Sequence, residues 1–100
     1  MNKRDKLVRA TYQALYDYNN VRGERIENVV SVQIHSHSPS NIGDDSMEAW
    51  VSISGTATMR TSTIIENGIT SVVSNFHFSA EVEYTEDKEF KCSISILTKM

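Results

Sequence analysis

At Gly23 the apolar residues change their spacing, and no other feature constrains the fold of this chain as strongly. Before it, Leu7, Ala10, Thr11, Ala14, Leu15 and Tyr18 recur three and four residues apart, which lines them along one face of an α-helix. After it they alternate. Ile26, Val30, Val32 and Ile34 form one series, and Met47, Ala49, Val51, Ile53, Ala57 and Met59 a second. Val72, Phe76, Phe78, Ala80, Val82 and Tyr84 form a third, and Phe90, Cys92, Ile94 and Ile96 a fourth. A period of two belongs to a strand with one buried face. The order predicts an α+β fold, with a helix over about 3–20 and strands over about 25–37, 47–66, 69–85 and 89–98. Short connections make neighbours of consecutive strands, so the sheet is a four-stranded antiparallel β-meander, order 1-2-3-4, with the N-terminal helix packed on one face.

The turns set the register. Asn67-Gly68 is the preferred type I′ pair, which would place Glu66 beside Ile69, Met59 opposite Phe76, Ala57 opposite Phe78 and Ile53 opposite Val82. A three-residue loop at Glu86-Asp87-Lys88 places Tyr84 beside Phe90, Val82 beside Cys92 and Ala80 beside Ile94. The turn-rich stretch from Ser38 to Ser46 joins the first two strands, in a register that sets His35 opposite Trp50 and His37 opposite Glu48. Gly55, Ala57 and Ala80 fall at mid-sheet, where small side chains predict the closest approach of the helix. One helix gripped by an antiparallel meander resembles the cystatin-like layout. The Q-x-V-x-G loop of cystatins has no counterpart, because Val51-Ser52-Ile53-Ser54-Gly55 keeps its glycine inside a strand.

Composition narrows the class. One hundred residues carry material for one core, so a single domain over 1–100 is expected. Apolar runs no longer than Ala49-Trp50-Val51 predict neither a membrane span nor a secretory leader, and a lone Cys92 suits a reducing, cytoplasmic setting. Residues 1–25 hold six basic groups against three acidic ones, while the whole chain has a formal charge of −3. That polarity can orient a partner but is too sparse for a nucleic-acid footprint, so neither nucleic acid nor membrane is expected as a partner.

Candidate chemistry is thin. His35 and His37 share a strand face in a strict alternation, and Glu48 would complete a two-histidine, one-carboxylate metal set at the sheet edge; solvated strand-end histidines are the plainer reading. Glu81 and Glu83 share a face, yet Lys91 opposite Glu83 makes an ion pair of them rather than a catalytic dyad. Cys92 points inward beside Val82, as an inert thiol. A pocket between helix and sheet lined by Tyr12, Tyr16 and Tyr84 would serve a small-ligand-binding or metal-dependent enzyme, the alternative reading. No residue is assigned a catalytic role and no cofactor is required.

Two features point to protein contact instead. The polar face of the sheet is dominated by short hydroxyl side chains, Ser31, Ser54 and Thr56 among them, flanked by Trp50, Val29 and Leu97; such a face admits another surface at close range. The second and third strands are also too long for the helix, at about 50 Å against about 25 Å. Their hairpin carries Ile64, Ile65, Ile69, Val72 and Val73, a load rarely left in water. The expected function is a non-catalytic protein-binding or assembly module, homo-oligomeric as a homodimer or bound to another protein. Its interface would comprise Ser31, Trp50, Ser54, Thr56, Ile64, Ile65, Ile69 and Val73. The size and the Ser, Asn, Ile and Lys usage suit a bacterial or phage accessory protein.

Overall fold

Leu7, Thr11 and Leu15 are fully buried along one face of the helix α1 (Lys3–Tyr18), as their spacing predicts. The computed structural model describes residues 3–38, 51–85, 87 and 89–100. Asn19 ends the helix with a positive φ of 72°, its N–H donating to the Tyr16 carbonyl at 3.2 Å. Arg22 and Gly23 then both take positive φ, 51° and 83°, the type I′ geometry of a tight hairpin. That turn pairs β1 (Asn20–Val21) with the start of β2 (Glu24–Ser38). Among the described residues the sheet therefore has five strands rather than four. A two-residue strand is too short to leave an alternation, and Gly23 marks the hairpin while Asn19 performs the helix stop.

β3 (Val51–Ile65), β4 (Gly68–Tyr84) and β5 (Phe90–Lys99) complete an antiparallel meander in the order β1-β2-β3-β4-β5, with the helix packed on one face. The core holds Leu7, Leu15, Met59, Phe76, Phe78 and Val82, each at most 2% exposed and each worth roughly 1.5–3 kcal/mol in removed apolar surface. The helix comes closest to β2 and β5, not to mid-sheet. The sheet curls around it, and the two phenylalanines with Met59 fill the space above β3 and β4. Below the core, the buried Thr61 hydroxyl donates to Glu24 Oε1 at 3.1 Å and Lys99 Nζ lies 3.6 Å from Glu24 Oε2. This contact bridges β2, β3 and β5 and closes the core with a polar girdle. Among the described residues no helix is long and apolar enough to cross a membrane.

The β4–β5 ladder has the predicted pairs Tyr84 with Phe90, Val82 with Cys92, Ala80 with Ile94 and Glu83 with Lys91. The β3–β4 hairpin does not form the Asn67-Gly68 type I′ turn. Ile65 pairs with Gly68, Glu66 and Asn67 make the connection, and the positive φ falls on Gly68 at 141°. A glycine just after the turn takes the strained conformation, so Glu66 and Asn67 need not. The ladder is offset accordingly: Met59 faces Ser74, Ala57 faces Phe76, Gly55 faces Phe78 and Ile53 faces Ala80. Each strand keeps its buried face, because the offset moves every partner by two residues.

β2 departs further. Three irregularities interrupt its ladder with β3, at Glu27, Val30 and His35, each an extra residue that reverses the alternation. The helix side is thus met by Ile26, Val29, Val32, Ile34 and His37, whose partners are Thr61, Met59, Ala57, Gly55 and Ile53. Val29 is buried and Val30 half-exposed, the reverse of strict alternation. A bulge at Ser95 does the same in β5, turning Leu97 inward opposite Phe78 and leaving Ile96 exposed opposite Ser79. Gly55 is needed at this point, since a Cβ there would lie 2.0 Å from the Gln33 carbonyl oxygen. Glycine in mid-strand lets β2 ride close over β3 where the His35 bulge bends it.

Candidate interaction surface

Beyond the Glu24–Thr61 girdle the β3–β4 hairpin continues as an arm. The molecule measures 54 × 24 × 20 Å, and α1, at about 24 Å, spans less than half of the long dimension. Alternation puts Ile64, Ile69 and Val73 on the side of the sheet away from the helix, and Ile65 and Val72 on the helix side. Ile64 and Ile69 face each other across the ladder and are 85% and 73% exposed; Ile65, Val72 and Val73 are about half-exposed. The arm projects and does not fold back on the core. Asn20, Gly23 and Arg25 border it at its base, where Ser62 Oγ donates to Glu27 Oε1 at 2.6 Å and Arg25 Nε approaches the same oxygen at 3.8 Å.

The open face above the arm carries rows of hydroxyl and amide side chains. Ser31, Thr58 and Asn75 form one row, Gln33, Thr56, His77 and Thr98 the next, and Ser36, Ser54 and Ser79 a third. Neighbours in these rows bond to one another: Thr58 Oγ1 donates to Asn75 Oδ1 at 2.7 Å, the Ser36 and Ser54 hydroxyls meet at 2.5 Å, and Ser95 Oγ donates to the Ser79 carbonyl at 3.1 Å. Such bonds tie short polar side chains to their cross-strand neighbours within the face. Of the predicted interface, Ser31, Ser54 and Thr56 lie here, Ile64, Ile65, Ile69 and Val73 lie on the arm, and Trp50 falls outside the described residues. Val29 and Leu97, expected to flank the face, are turned to the core side; Ile96 takes that place. The signals for these exchanges are the adjacent pairs Val29-Val30 and Ile96-Leu97, in which either member could be the buried one.

The alternative sites separate. The extra residue at His35 sends the two histidines to opposite faces: His35 Nε2 bonds Thr56 Oγ1 at 3.0 Å on the open side, and His37 lies opposite the buried Ile53. Glu48 is outside the described residues, and among those described no three His, Cys, Asp or Glu side chains gather as metal ligands would. The tyrosines do not line one pocket. Tyr12 donates its hydroxyl to the Val30 carbonyl at 3.3 Å, Tyr16 is half-exposed, and Tyr84 packs on Phe90 with ring centres 4.9 Å apart. The helix and β5 do enclose an open cleft of about 540 Å³, bordered by Lys6, Arg9, Gln13, Glu89, Phe90 and Cys92. Burial pushes the Cys92 thiol above its ordinary value, against a smaller opposing effect of a hydrogen bond with the Thr11 side chain, so the group is protonated and a poor nucleophile.

Compared with protein-family models, with curated proteins and with solved structures, the chain matches none.

Proposed function

We propose that this chain is a non-catalytic protein-binding module that assembles through its hairpin arm, with the hydroxyl-lined open face as an accessory surface. One observation carries the reading: Ile64 and Ile69, a cross-strand pair at the end of an elongated molecule, are 85% and 73% exposed. With Ile65, Val72 and Val73 they present roughly 500 Å² of apolar surface, whose removal from water at about 25 cal/mol per Å² favours contact by more than 10 kcal/mol before the costs of association. The rest of the molecule supplies a rigid mount. The curled sheet holding its helix is arranged like the cystatin-like layout, and the Glu24–Thr61–Lys99 contact stiffens the point where the arm leaves the core. A homo-oligomer, a cytoplasmic setting and a bacterial or phage accessory role belong to the same proposal.

The test is the solution mass of the wild type from micromolar to millimolar concentration, beside that of a variant with Ile64→Ser, Ile65→Ser and Ile69→Ser. The wild type is expected to be larger than a monomer at the upper end. The variant should stay monomeric with its folding stability changed by no more than about 0.5 kcal/mol per substituted site, as for other exposed positions. Thr56→Arg, at the middle of the open face, tests the accessory surface in the same experiment. A triple variant that retains both stability and every assembly state would refute the arm as a contact surface.

A further inference from the structure

The arm also carries an unpaired strand edge. β5 reaches β4 only as far as Phe76 opposite Lys99, with the Met100 N–H donating to the Asn75 carbonyl at 2.9 Å, so Gly68–Ser74 has β3 on one side and no strand among the described residues on the other. An open edge offers backbone N–H and C=O groups to any strand that can reach it, and folded proteins guard against this with bulges, charges, prolines or a covering element. Residues 63–65 of β3 are also open on their far side, beyond the last β2 pair at Ser62, but make only a three-residue edge; the longer edges are guarded. β2 has its three irregularities and the Tyr12 hydroxyl on the Val30 carbonyl, and β5 has the Ser95 bulge with Lys91 and Lys99 towards its ends. Gly68–Ser74 reads Gly-Ile-Thr-Ser-Val-Val-Ser, with no charge and no proline, and its ladder with β3 runs without a register shift. Gly68 to Val73 are all exposed.

We infer that this edge pairs antiparallel with the same edge of a second copy of the chain, about a two-fold axis at Ser71, joining two arms into one continuous sheet. The inference rests on the arm being a contact surface and names its occupant. An axis perpendicular to the sheet keeps each face with its like, and centred on Ser71 it sets Ile69 of one copy opposite Val73 of the other on the open side. Thr70 then meets Val72 on the helix side. The two Ile69–Val73 pairs bring apolar groups together, and the uncharged strand meets itself without like-charge repulsion. Pairing covers Ile69, Val72 and Val73 on each edge strand, while Ile64 and Ile65 stand one strand back on β3 and stay outside the seam. The defended edges explain why pairing is confined to the arm.

The register makes the test direct. Residues on the axis face their own copy with Cα atoms about 4.5–5.5 Å apart, within the span of a disulfide. In a Cys92→Ser background, Ser71→Cys should form a disulfide-linked dimer under mild oxidation at least tenfold faster than Thr98→Cys on β5. Ile69→Lys with Val73→Lys should weaken the wild-type dimer at least tenfold, with the circular dichroism unchanged. Equal or faster cross-linking through Thr98→Cys, or a dimer of undiminished affinity with both lysines in place, would overturn the pairing. If that dimer is still lost when Ile64, Ile65 and Ile69 become serine, the arm remains the contact and only the edge geometry falls. A wild type that is monomeric at every concentration overturns the second copy as the occupant.

Discussion

Replacing Gly55 by alanine adds one methyl group and tests the most consequential backbone feature of the sheet. The new Cβ would lie 2.0 Å from the Gln33 carbonyl oxygen and 3.0 Å from both Gln33 C and Ile34 Cα. These are backbone atoms of β2, so no rotamer change relieves the clash and the two strands must part by about 1 Å or more. Forcing extra carbon into a packed site costs about 1–3 kcal/mol and occasionally more. Against this stands about 0.5–1 kcal/mol gained because alanine has less freedom than glycine to lose on folding. With the clash on backbone atoms, the net expectation is a loss of about 1–2 kcal/mol, or about 4–16 °C in Tm for a domain of this size. Thermal and urea unfolding followed by circular dichroism measure it. A Gly55→Ala protein as stable as the wild type, or more so, would mean that β2 does not ride close over β3, and the His35 bulge that parts the two histidines would lose its support.

Two further expectations concern buried polar groups. The Cys92 thiol has its folded pKa raised above the ordinary 9.0, chiefly by burial, so the folded state holds its proton more tightly than the unfolded chain. Its stabilising contribution is complete below pH 9.0 and is lost as pH rises through the higher folded value. Cys92→Ala should flatten the alkaline fall in urea-midpoint stability; an unchanged slope would contradict the assignment. At the base of the arm, Glu24→Ala leaves the buried Thr61 hydroxyl without its acceptor and should cost about 1–3 kcal/mol, whereas Thr61→Val leaves Glu24 with Lys99 and water and should cost under about 1 kcal/mol. Equal costs in denaturant titrations would refute that asymmetry.

The parts of the fold legible in the sequence were those set by side-chain period and by loop length. The helix face follows from Leu7, Thr11 and Leu15, and the β4–β5 pairs follow once Glu86-Asp87-Lys88 is taken as the loop. The hairpin differs from its expected register by one position on each strand because Asn-Gly is a strong type I′ signal, while a glycine after the turn satisfies the same backbone need. Since partners shifted by two, the faces survived. The bulges were not legible, because an extra residue leaves no composition signature and reverses every face beyond it. Gly55 is the clue the sequence holds, since a glycine inside a strand marks close backbone approach, here of β2 rather than of the helix. For the interaction surface, the apolar load of Ile64, Ile65 and Ile69 was plain from the sequence. That its edge stands unguarded depends on where β5 stops along β4, which periodicity does not encode.

Residue-resolved amide hydrogen exchange across a concentration series tests the central claim, that the arm is where this protein touches another, most directly. At low concentration, the amides of Gly68–Ser74 that point away from β3 should exchange at the rate of open backbone. At concentrations where the mass exceeds that of a monomer they should slow at least tenfold. Protection that rises elsewhere in the sheet while these amides stay fast would contradict the account.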